Sequence, residues 1–159
     1  MKKKELNDKL SQVFDACKLH IQRMNFANSK VQSFLPLTRD NYYELDEETI
    51  SFIDQFIFRF SKLQDLMGAR LFPSILELLA EPVYDKAFID ILNRLEKLHV
   101  IESATEWVEL RNIRNDIAHE YPASLLERIE GINVLFNNWG KLEQIVEKCW
   151  LVFNKQTNS

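Results

Sequence analysis

Arg114, Asn115, His119 and Tyr121 stand within one short polar stretch, Arg111-Asn-Ile-Arg114-Asn115-Asp116-Ile117-Ala118-His119-Glu120-Tyr121-Pro122. An imidazole donates and accepts protons near neutral pH, and a guanidinium is a permanent cation whose planar fork matches phosphate geometry. Together they supply proton transfer and stabilisation of developing negative charge. Each residue alone also has a plainer role: Arg114 pairs with a carboxylate, His119 is a solvated residue favoured by a helix C-terminus, and Tyr121 packs with its hydroxyl in water. The combination is what singles the stretch out: Arg, four residues, His, one residue, Tyr, at a helix end.

The element that must position them is a helix. Ser103-Ala-Thr-Glu106 has the spacing of a capping box, so a helix begins near Ser103. Pro122 lacks an N–H and biases Tyr121 away from the α region, so the helix ends at about His119 or Glu120. At about 100° per residue, Trp107, Leu110, Ile113 and Ile117 form an apolar stripe, and Arg111, Asn115 and His119 form a polar row. Arg114 falls between the two. Its stem is expected along the core edge and its guanidinium beside Asn115, so that the polar groups converge on one pocket.

Composition bounds the scaffold. The chain has 159 residues, 46% of them hydrophobic, with only 3 Gly and 4 Pro, which favours helices over a turn-rich β architecture in one domain spanning residues 1–159. The apolar runs are too short for a membrane span and no cleavable signal pattern appears, so a soluble cytoplasmic protein is expected, without membrane association. A formal net charge of −4 opposes avid non-specific nucleic-acid binding. Any RNA contact must be local, and DNA is not expected as a partner. Lys2, Lys3 and Lys4 read as a solubilising start. Cys17 and Cys149 have no metal or redox spacing and read as reduced, buried residues. No glycine-rich phosphate loop is present, and neither a cofactor nor a metal is expected.

In chain order, a first long helix is predicted from about Glu5 to Ser33, with His20 as an edge residue, and Phe34 to Leu45 reads as a loop anchored by Tyr42 and Tyr43. Asp46 caps the next helix, with Leu45 and Ile50 as a hydrophobic staple. Phe52-Ile-Asp-Gln-Phe-Ile-Phe-Arg-Phe60 then places large apolar side chains on several faces, as expected of a helix central to its domain or shared with a second copy. Periodicity continues to Leu79, with Gly68 as an interruption and a kink or new start at Pro73. Glu81 to Asp85 is a break, with helix resuming between Tyr84 and Asp90 and ending near His99. A last long helix is predicted from about Ala123 through Val152, bent near Gly131 or Gly140, with a frayed tail after Lys155. The fold class is all-α, an up-and-down bundle of four to five helices.

The phrase Leu110-Arg-Asn-x-x-Arg114-Asn115-x-Ile-Ala-His119-Glu-Tyr121-Pro122 resembles the HEPN domains, and among them the HepT-like toxins that pair with a minimal nucleotidyltransferase antitoxin. The family pattern falls on Arg114, Asn115, His119 and Tyr121; Arg111 lies outside its spacing. The resemblance implies a homodimer with metal-independent endoribonuclease activity at the dimer cleft, in a type VII-like toxin–antitoxin system. His119 would be the acid/base, Arg114 the phosphate and transition-state cation, Asn115 the positioning residue, and Tyr121 the hydroxyl that the nucleotidyltransferase modifies with AMP. Two copies would bring two His119 and two Arg114 together, and the apolar second long helix is the natural seam. The competing reading is a non-catalytic helical binding module, a nucleotide- or substrate-binding subunit of a nucleotidyltransferase. A third is a degenerate site, whose mark would be an inward-facing salt bridge locking Arg114.

Overall fold

The computed structural model describes residues 3–118 and 124–158. Five helices of ten residues or more carry the fold: α1 (Lys3–Val31), α3 (Glu47–Leu66), α5 (Phe88–Lys97), α6 (Ala104–Ala118) and α7 (Leu125–Thr157), with short α2 (Arg39–Glu44) and α4 (Phe72–Leu78) between them. Among the described residues there is no strand, and the chain is an all-α helical bundle. No described helix is long and apolar enough to cross a membrane.

α3 is the hub. Asp46 caps it, its carboxylate accepting from the Thr49 N–H at 2.8 Å, and Leu45 is buried beside that start as the staple requires. α3 packs against α1, α6 and α7, most extensively against α1. That explains its aromatic run. Phe56 and Phe60 are fully buried, and Phe56 stacks on Phe136 of α7 at a centroid distance of 3.8 Å. Burying each such ring contributes about 1.5–3 kcal/mol. Phe58 alone of this run is more than half exposed.

The helix does not break where Gly68 and Pro73 interrupt the pattern. Met67–Leu71 forms a π-helical turn that leads directly into α4, where Pro73 occupies the first turn and needs no N–H partner. Space at Gly68 is tight: a Cβ there would meet Phe88 Cζ at 3.2 Å, so the ring would have to give by a few tenths of an ångström. α4 and α5 end in the left-handed residues Ala80 and His99, with Glu81 N–H bonded to Leu76 O and Val100 N–H to Leu95 O, the Schellman pattern. His99 is thus a helix-end residue, as its position predicts.

Three boundaries differ from expectation. The segment 34–45 contains α2, because Thr38 and Asn41 form a reciprocal capping box that the loop reading overlooks. α5 begins at Phe88, after left-handed Asp85 has turned the chain. α7 runs unbroken past Gly131 and Gly140 to Thr157, whose hydroxyl donates to Phe153 O. At Gly131 the missing Cβ admits Ile117 and Ile113 of α6. Cys17 and Cys149 are buried free thiols, each pushed up to about 12 by burial.

The connection after α1 is held by one side chain of α7. Asn133 Oδ1 accepts from Leu37 N–H at 2.8 Å and its Nδ2 donates to Leu37 O at 2.9 Å. Asn133→Ala strands both backbone groups and is expected to cost about 2 kcal/mol in urea unfolding; a loss below about 0.5 kcal/mol would show that water replaces the clamp.

Candidate functional site

α6 is fixed at its start by three polar contacts. Ser103 Oγ accepts from the Glu106 N–H at 3.1 Å, as the capping box requires. Glu106 does not complete the box, because its carboxylate reaches Lys141 of α7 at 2.7 Å, while Glu96 of α5 accepts from the Ala104 N–H at 2.8 Å. Trp107, Leu110 and Ile117 are buried and Ile113 is packed at the core edge, so the predicted stripe faces inward.

Arg114 is not where the polar row led us to expect it. It is 7% exposed, with Nη1 donating to Ser61 O at 3.1 Å and Nη2 to Asp65 Oδ1 at 2.5 Å, both on α3. Its guanidinium therefore turns into the α3–α6 seam and away from Asn115, which is exposed. The reason is geometric: Arg114 is seven residues after Trp107 and four after Leu110, inside the buried stripe. Arg111 lies above Phe88, its guanidinium carbon 5.0 Å from the ring centroid. None of the described pockets is lined by Arg114 or by Asn115. His119 and Tyr121, and with them the predicted end of the helix, lie outside the described residues.

The Arg114–Asp65 pair is asymmetric. The Arg114 side chain is 8% exposed and that of Asp65 62%. The Arg114 Nε is buried without a partner among the described residues.

Several residues near α6 carry no signal in the motif. Arg128, in the first turn of α7, donates to Ile117 O and so places a cation on a terminal carbonyl of α6. Asp65 and Gln64 come from α3, and Gln64 is buried with Nε2 donating to Trp107 O at 3.3 Å. No local spacing reports them, because the contacts span 40 residues or more. His20, on α1, reaches α3, its Nδ1 3.2 Å from Arg59 Nη1. Guanidinium only donates, so Nδ1 is the acceptor and the ring is held neutral. Burial, then Arg59 and Lys62, move its pKa below the usual imidazole value. His20 is a half-buried edge residue.

No protein-family model, curated protein or solved structure matches this chain. The HEPN resemblance rests on the quoted residues.

A double-mutant cycle measures the seam. Arg114→Ala, which removes a buried stem and two hydrogen bonds, is expected to cost about 2–3 kcal/mol, and Asp65→Asn about 1 kcal/mol because the carboxylate is largely exposed. Together they should cost less than their sum, by about 1 kcal/mol. Strict additivity in chemical denaturation would remove the energetic coupling.

Proposed function

We propose that the chain is a HEPN-type, metal-independent endoribonuclease that acts as a homodimer, belongs to a toxin–antitoxin pair, and is neutralised by a minimal nucleotidyltransferase that adds AMP to Tyr121. The supporting observation is that Arg114 is held toward the C-terminal end of α6, five residues before His119 in sequence, by Asp65 and Ser61 of α3. In this reading His119 moves the proton of the attacking 2′-hydroxyl and of the leaving oxygen, and a second copy supplies the partner imidazole. Arg114 stabilises the dianionic phosphorane. Only two of the five N–H groups that a guanidinium carries are hydrogen-bonded among the described residues. Asn115, exposed on the adjoining face, positions the strand.

A second reading is favoured by the same pair. An inward salt bridge locking Arg114 is the mark set out above for a degenerate site, and the burial of its side chain equally fits a non-catalytic module that docks on a nucleotidyltransferase.

The two separate in one assay. Purified protein in EDTA is expected to cleave RNA, and His119→Ala and Arg114→Ala, checked for folding, should each lower the rate at least about 100-fold. Asp65→Asn keeps the hydrogen-bonding shape and should retain cleavage at a reduced rate. No cleavage of a broad RNA panel by the wild type, with a stable complex formed on a co-expressed nucleotidyltransferase, would establish the module instead.

A further inference from the structure

On the α1 side of α7 a groove of about 530 Å³ opens, reaching from Phe14 to Asn25 on α1 and from Glu143 to Trp150 on α7. At 1.5 Å per residue it is roughly 16 Å long, enough to seat about three turns of another helix. Its accessible apolar surface comes chiefly from half-buried Ile21 and from Trp150, over a floor of Phe14 and Val146. Trp150 is 45% exposed, yet its ring is held by Phe14, edge-on at 5.2 Å, and by Phe153 at 5.7 Å. A fixed, half-exposed indole beside apolar side chains and inside a polar rim is the kind of anchor that protein-binding grooves present.

The rims carry charge, and it is one-sided. Asp15, Glu143 and Glu147 line the groove against a single lysine, Lys18. Asp15 and Glu147 are exposed, and among the described residues none of the three acids is in an ion pair. The neighbouring lysines of α7 face another way: Lys141 and Lys148 line the cleft toward α6, where Lys141 pairs with Glu106. This part of α7 thus turns its acids to α1 and its bases to α6. Such a groove repels the phosphates of RNA, and two copies related by a two-fold axis would bring grooves of like charge together. What it attracts is lysine or arginine flanking an apolar stripe.

We infer that this groove receives a basic amphipathic helix of a partner protein, with its apolar stripe on Ile21 and Trp150 and its basic residues along Glu143 and Glu147. These two acids are four residues apart on α7, so cations one turn apart on the partner can meet both. The inference uses no residue of the Arg114 to Tyr121 stretch and stands whether or not the chain cleaves RNA.

The test is fluorescence anisotropy of a labelled helical peptide of about 18 residues, leucine on one face and lysine on the other, titrated with the full chain. Binding is expected at about 10 μM or tighter, and a peptide of the same composition with its leucines spread around the helix should bind at least about tenfold more weakly. Glu147→Lys should weaken the first peptide about tenfold and Trp150→Ala by a similar factor. Glu130→Lys makes the same charge change at an exposed site about 25 Å further along α7, and should weaken it by about twofold at most. Lys18→Glu should tighten it about threefold. Melting temperatures establish that each variant is folded. No saturable binding, equal weakening by Glu147→Lys and Glu130→Lys, or displacement of the peptide by single-stranded RNA would overturn the proposal. So would self-association of the chain in sedimentation that Glu147→Lys and Trp150→Ala both abolish, since the occupant would then be a second copy.

Discussion

Everything in the bundle depends on α3 being surrounded. A helix with neighbours on three sides has to be apolar over most of its circumference, and Ile53, Phe56, Phe60 and Leu63 meet that demand with exposures between 0 and 3%. The polar groups that such a helix turns inward must then find partners, because an unpaired buried donor or acceptor costs more than a hydrogen bond returns. At the α6 side the buried group in need of partners is the Arg114 guanidinium, and α3 answers it with Ser61 O and the largely exposed Asp65 carboxylate.

The same constraint decides what was legible in advance. Helix existence followed from periodicity, and the starts of α3 and α6 followed from Asp46 and Ser103, whose side chains accept N–H bonds three residues on. Those signals are local. α2 depends on Thr38 and Asn41, an equally local signal masked by Pro36 and the two tyrosines. The π turn was not readable, since Gly68 and Pro73 announce only an irregularity, and the close approach of Phe88 to Gly68 comes from another helix. The apolar run of α3 left two explanations open, a central helix or a shared one. Packing against α1, α6 and α7 accounts for all of it except Phe58.

For the site, residue type competed with residue position, and type was given too much weight. Trp107, Leu110 and Ile117 define the buried side of α6, and Arg114 sits at the spacing that places it among them. A charged residue in such a stripe implies a partner across the seam rather than emergence into solvent. That partner, Asp65, is 49 residues away in the chain and has no spacing that would reveal it. Asn115, one residue on, rotates by about 100° and faces out. Adjacent motif residues on one helix are therefore poor candidates for a single pocket unless a second element reaches around to join them.

The Arg114–Asp65 bond can be regarded as a lock or as preorganisation, and the physical difference lies in which partner is wet. A free surface arginine gives up roughly 2 kcal/mol of rotamer entropy when it is fixed against an anion, whereas Arg114 is already ordered by two α3 acceptors. Its burial removes water from the guanidinium and strengthens any charge interaction it makes. The exposed member is the carboxylate, so an anion that reached Arg114 would compete with Asp65 at the seam.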